Sequence, residues 1–172
     1  MTADEFAEIV GRAEADPSIA LVPKTAGLRE ALHLTRRTNQ APRYHEALFD
    51  LIDRYDTHSL NIAGLTLGPE VRKYEGGPDW LEVGRWEGDA VVVGEQGQIL
   101  VVEGHRRVHV QCILAQSGEQ LLDALAEVVE FHRHRRSGER LSGLECSQRC
   151  ARLAGLSEAS NPYVGMLPVE EG

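Results

Sequence analysis

Two tryptophans set among carboxylates are the residues of this chain best equipped to recognise another molecule. Trp80 lies between Asp79 and Glu82, with Glu75 just upstream, and Trp86 precedes Glu87 and Asp89. An indole is a large, rigid anchor whose face attracts Lys and Arg, and flanking carboxylates reinforce that attraction. Glu75, Asp79, Trp80, Glu82, Trp86, Glu87 and Asp89 are therefore the candidate residues for binding a cationic partner. The competing reading makes one or both indoles caps on the core.

Other reactive side chains offer less. Cys146 and Cys150 are four apart and share a helix face with Leu153. With His132 or His134 they make the one conceivable Cys/His metal site. A metal needs about four ligands, or three and a water. Histidines two apart do not share a helix face, however. Two small core residues are the preferred reading, so no metal ligand is assigned. Cys112 stands among valines. His109, three residues away on an extended strand, points to the opposite face, so the two do not form a catalytic pair. His105 and His109 with Arg106 and Arg107 form one basic patch and His132 to Arg136 another; each could take a phosphate or other anion, but the preferred reading is a solvated turn and a helix C-terminus, where cations suit the dipole. Gly76-Gly77 is followed by Pro78, so it is not a phosphate loop. No G-x-S-x-G, H-E-x-x-H or C-x-x-C is present. The sequence thus assigns no catalytic residue and no cofactor.

Composition narrows the class. The 172 residues include 18 Lys and Arg against 27 Asp and Glu, a net charge of -9. That balance argues against nucleic-acid binding, which relies on cations to neutralise phosphates. It suits a basic protein partner steered in by the field. No apolar run reaches the roughly 18 residues of a membrane span. The acidic start lacks a basic region followed by an apolar stretch, so no secretory signal is read and the cytoplasm is expected. The three cysteines, an odd count, are expected as free thiols.

The elements that would position these residues follow from periodicity. A helix is expected over Thr2 to Glu14, with Phe6, Ile9, Val10 and Ala13 at helical spacing. A second is expected after Thr25, with Leu28, Ala31, Leu32 and Thr35 on one face. A third starts at Pro42 and carries the stripe Tyr44, Leu48, Leu51, Ile52 and Tyr55. Its other face is charged: His45, Glu46, Asp50, Asp53 and Arg54. Leu60 to Leu67 reads as a strand weakened by Gly64, Gly68-Pro69 ends it, and Val71 to Tyr74 reads as a short edge strand. After the loop Glu75 to Asp79, three apolar runs from Leu81 to Glu103 are broken at Glu87-Gly88-Asp89 and Glu95-Gln96-Gly97, which describes an antiparallel meander. Val108 to Leu114 is a further strand, with Val108, Val110, Cys112 and Leu114 on one face. Ser117 with Gln120, and Ser142 with Glu145, are capping boxes opening two helices. Gly155 stops the second, and Ser157 to Gly172 reads as a loose tail.

Helices, then strands in series, then helices describe an α+β fold. The expected sheet is single and mostly antiparallel, of about five to six strands, since its loops are too short for helical crossovers of about a dozen residues. It is flanked by N-terminal helices and a C-terminal helix. Residues 1–136 form the main domain and residues 137–172 a helical appendage with a tail.

This order resembles the SUKH superfamily, which includes fungal cell-wall synthesis regulators and many bacterial immunity proteins. Pro42 to Asn61 looks like the family's helix leading into its first strand. Leu81 to Val101 looks like its central meander, with Gly88-Asp89 before an apolar strand. Ala115 to Glu130 looks like its closing helix. The likeness spans residues 25–135; the loop Tyr74 to Trp80 and the segment after Ser137 have no counterpart. It implies a non-enzymatic binding protein, of the immunity type that neutralises a toxin, often a basic nuclease, by direct contact. The alternatives from other classes are a metal-dependent enzyme or sensor using Cys146, Cys150 and a histidine, and a small-molecule regulatory module.

Overall fold

The computed structural model describes residues 1–16, 31–37, 44–77, 79–103 and 109–167. Helix α1 (Ala3–Glu14) opens with a complete capping box between Thr2 and Glu5. Its apolar stripe buries Phe6, Val10 and Ala13. Two short strands, β1 (Ala31–Leu32) and β2 (Thr35–Arg36), precede helix α2 (Ala47–Arg54). Strands β3 (Tyr55–Asp56), β4 (Leu60–Ile62), β5 (Leu65–Lys73), β6 (Leu81–Trp86), β7 (Asp89–Val93), β8 (Ile99–Glu103) and β9 (His109–Ala115) come in series, and helices α3 (Gly118–Arg136) and α4 (Gly143–Leu153) follow. The sheet runs β1-β4-β5-β6-β7-β8-β9, with every pairing antiparallel; β2 and β3 make a separate ladder. This is the α+β arrangement the element order implied. Among the described residues no helix is long and apolar enough to cross a membrane.

Apolar residues lie on both faces of the sheet, and they are covered differently. One face meets all four helices in the main core, which joins Leu65, Val83, Val91 and Val101 to Phe6, Leu48, Leu125 and Cys150. The other carries a small second cluster, Tyr74, Ala90, Val92, Leu100 and Val102 with Trp80 against it, to which no helix contributes. We call this the open face.

Several expectations need correction. Ala31, Leu32 and Thr35 lie in strands rather than a second helix, because pairing with Leu60, Asn61 and Asp56 overrides a helical spacing that carries little intrinsic stability. Leu28 lies outside the described residues. The third helix starts at Ala47 with Glu46 as its cap, leaving Tyr44 exposed and Tyr55 already in a strand. Leu60 to Leu67 is a hairpin: Ala63 and Gly64 both take positive φ and turn the chain between β4 and β5. Strand β5 continues through Gly68-Pro69 by shifting register between Leu67 and Arg72, so Val71 to Lys73 is its end and not a separate edge strand. In β9 the register skips Gln111 and Leu114. Val110 consequently pairs with Val102 on the open face, while Cys112 pairs with Val101 on the helix side; the even alternation expected there is broken.

The C-terminal stretch is not loose. Glu158–Ser160 and Pro162–Gly165 form 3-10 turns, and Tyr163, Met166 and Leu167 are buried. Helix α4 puts Cys146, Cys150 and Ala154 into the same core as the rest, so residue 136 does not divide the packing. Ser137-Gly138 is a helix cap: Glu139 N–H donates to His134 O and Gly138 N–H to Arg135 O, the Schellman pattern. Pro168 to Gly172 lie outside the described residues.

The charged face expected for α2 is also turned inward in part. Asp50 is 5% exposed and Arg54 only 1%. The guanidinium donates to Asp50 through Nε (2.8 Å) and Nη2 (2.5 Å), and to Asp4 of α1 through Nη1 (3.1 Å) and Nη2 (2.9 Å). The Tyr55 hydroxyl donates to Asp4 as well, and Arg54 lies 5.6 Å from the Tyr55 ring centroid. Hydrogen bonds from Arg54 and then Tyr55 hold the Asp4 carboxyl below its usual range, while burial and Asp4 push the Tyr55 hydroxyl up to about 12. One cation thus clamps the start of α1 to the end of α2.

Removing one partner of such a buried pair strands the other, so Asp50→Ala is expected to lower the unfolding free energy by about 3–5 kcal/mol. The double change Asp50→Leu with Arg54→Met is expected to lose less than the two single changes summed, measured by denaturant unfolding. Because the folded-state pKa of Asp4 is depressed, its contribution is present above the carboxyl's unfolded pKa and is lost as pH falls through the folded value. Asp4→Asn is therefore expected to flatten the acid limb of the stability profile; an unchanged limb rejects the assignment.

Candidate partner-binding surface

The loop from Tyr74 to Trp80 is closed by a backbone bond, Tyr74 N–H to Trp80 O at 2.8 Å. It folds the Trp80 indole back over Tyr74, with ring centroids 6.4 Å apart and planes 20° apart. This offset stack caps the second cluster. Gly77 permits it, since a Cβ there would sit 2.6 Å from the indole ring. Tyr74 is buried beneath and Trp80 is half-buried above, so the indole's outer side faces solvent.

The carboxylates divide into groups. Glu75 is exposed on the loop. Asp79, exposed and at positive φ, lies 3.6 Å from the Lys73 ammonium. Glu82 is 3.2 Å from Arg85, whose guanidinium also donates to Gly88 O. Burial raises the Tyr74 hydroxyl, and Glu82 raises it further. Glu82 pairs with Val92 of the second cluster and so lies on the open face, whereas Asp89 pairs with Trp86 and shares its side of the sheet. Asp89 accepts from the Gln111 amide at 2.9 Å, an amide also 3.5 Å from Glu103.

Trp86 goes elsewhere. It packs against the main core, next to Gly64, and its indole N–H is buried with no acceptor among the described residues. The cause is a bulge at Val83, where the β6–β7 register jumps from Glu82 to Gly84 and reverses the side-chain alternation. Glu87 and Gly88, both at positive φ, form the β6–β7 turn. The structure therefore brings Glu75, Asp79, Trp80 and Glu82 to the loop and the open face beside it, and leaves Trp86 and its partner Asp89 on the other side of the sheet. Sequence reasoning missed Tyr74, which underlies Trp80. The Tyr-x-x-Gly-x-x-Trp spacing, a small residue between two aromatics, is the signal that could have found Tyr74.

The remaining candidates are placed as core or as ion pairs. Cys146 and Cys150 are fully buried against α3, with the Cys150 thiol donating to Ala124 O at 3.5 Å. Contact with Cys146, followed by burial, raises the Cys150 thiol. Burial also raises the half-buried Cys112. His134 lies 2.9 Å from Glu139, and Arg133 is 2.7 Å from Glu130. Among the described residues no three His, Cys, Asp or Glu side chains are grouped to hold a metal ion. His105 to Val108 lie outside the described residues. No protein-family model, curated protein or solved structure matches this chain.

Two tests follow from the geometry. In a Trp86→Phe background, Gly77→Ala is expected to push the indole off Tyr74 and shift Trp80 emission to the red; unchanged emission contradicts the stack. A thiol reagent is expected to modify Cys112 in the native protein and to reach Cys146 and Cys150 only on unfolding. Equal reaction at all three overturns the buried placement.

Proposed function

We propose that the chain is a non-enzymatic, SUKH-like protein-binding module of the immunity type, working in the cytoplasm and neutralising a basic toxin by direct contact. The observation that carries this reading is the open face: a second apolar cluster free of helices, capped by a half-exposed tryptophan and edged by Glu75, Asp79 and Glu82. A rigid aromatic within a polar, charged rim is the anatomy of a binding hot spot. The net charge of -9 supplies long-range attraction to a cationic surface. Lys73 and Arg85 already engage some of these carboxylates, so a toxin's Arg and Lys would compete for them rather than meet free anions. The alternative Cys/His metal chemistry has no gathered donor set among the described residues to support it.

The test is titration against a basic toxin encoded in an adjacent reading frame. The complex is expected to weaken as salt rises, since exposed charges are screened over about 8 Å at physiological ionic strength. Glu75→Lys with Asp79→Lys is expected to lower affinity by roughly tenfold or more while leaving the unfolding midpoint unchanged. Trp80→Ala is expected to cost about 2 kcal/mol of binding, and Trp86→Phe little. Affinity that ignores salt and both acidic substitutions removes this surface from the interface.

A further inference from the structure

Strand β9 ends the sheet among the described residues, and the apolar patch of the open face runs out to it unfinished. The registers align two rungs across β7, β8 and β9: Val92, Leu100 and Ile113, and Ala90, Val102 and Val110. In each rung the two inner residues are buried. The outermost are open, Ile113 at 37% and Val110 at 40% exposure. The inner residues have a strand on either side and lie in the cluster that Tyr74 and Trp80 cover; among the described residues the outer pair has no strand beyond it. Val110 and Ile113 are three apart, a spacing that places them on opposite faces of a regular strand, and the bulge at Gln111 returns both to the open side.

Alongside this edge runs a groove of about 630 Å³, between β9 residues 110–113 and a wall from Gly155 to Pro162. The chain itself serves the edge further along. Gln116 N–H donates to Ala154 O at 3.0 Å, and the Tyr163 hydroxyl donates to Leu114 O at 2.8 Å. Among the described residues the chain's own cover thus stops where the groove begins. Every described residue lining the groove is uncharged, with Ser157, Ser160 and Asn161 on the wall and Val110 and Ile113 on the strand.

We propose that this groove takes an extended, uncharged peptide segment of a partner protein, which adds as a further strand to β9. A row of backbone donors and acceptors beside two aliphatic side chains is matched by another extended backbone, with aliphatic side chains at alternate positions. The wall disfavours a second copy of this chain, which would have to press its own wall against the same edge. The inference goes beyond the acidic open-face reading and does not require it: the groove carries no charge, so binding there is insensitive to salt, whereas the contact proposed above is not.

The experiment pans a displayed library of random decapeptides against the full chain at high salt. Enriched peptides are expected to be uncharged and aliphatic at alternate positions, and to slow amide exchange at residues 109–113. Val110→Asp and Ile113→Asp are each expected to weaken a selected peptide by roughly tenfold or more, and Leu144→Asp, on the exposed side of α4, to leave it unchanged. Both groove variants are checked for an unaltered circular dichroism spectrum. N-methylation at alternate peptide nitrogens separates strand addition from apolar adhesion: one register is expected to abolish binding and the other to be tolerated. The proposal is overturned if no peptide enriches over a Val110→Asp control. It is equally overturned if both methylation registers are tolerated, or if the chain dimerises through β9.

Discussion

A sheet with apolar residues on both faces and helices on only one must find a second cover. Here that cover is centred on one stacked pair, Tyr74 under Trp80. Val92, Leu100 and Val102 face away from every helix yet are buried, so the closed loop between β5 and β6 contributes what a helical layer would in a three-layer fold. A cover this small leaves its own outer surface exposed. The half-buried indole is both the lid of the second cluster and the apolar neighbour of the exposed loop carboxylates, so the proposed recognition there would be coupled to stability on the open face.

The helical side is held by a different kind of interaction. Arg54 is buried on α2, and its carboxylate partners come from its own helix and from the first turn of α1. Its desolvation is offset only when both are in place, which makes the docking of α1 geometrically specific in a way that Phe6 and Val10 alone do not. Helices α3 and α4 then pack through small side chains, Ala124 against Cys150, and Tyr163 ties the C-terminal turns to β9. The helical layer is thereby fixed as a platform, and the open face is left to vary at its surface.

Local chemistry made much of this legible in the sequence. The meander was readable because Glu87-Gly88 and Glu95 to Gly97 are turn residues between β-branched runs. The starts of α3 and α4 were readable because Ser117 and Ser142 accept from the third backbone N–H beyond, at Gln120 and Glu145. What escaped was non-local. Ala31 and Leu32 are strand only because β4 pairs with them. Asp50 and Arg54 looked solvated because the third member of their network, Asp4, is remote in sequence. Trp80 and the acids beside it are neighbours in sequence, but the side taken by Trp86 is decided by a bulge at Val83, which no composition signal marks.

We propose that the open face recognises a protein through Trp80, while Trp86 stays packed against the main core. The most direct measurement follows the two indole N–H resonances of the folded chain as a basic toxin is added. The resonance of Trp80 is expected to shift with occupancy and that of Trp86 to remain near its free position. A complex that moves Trp86, or neither indole, while shifting amides only along α3 and α4 would contradict it.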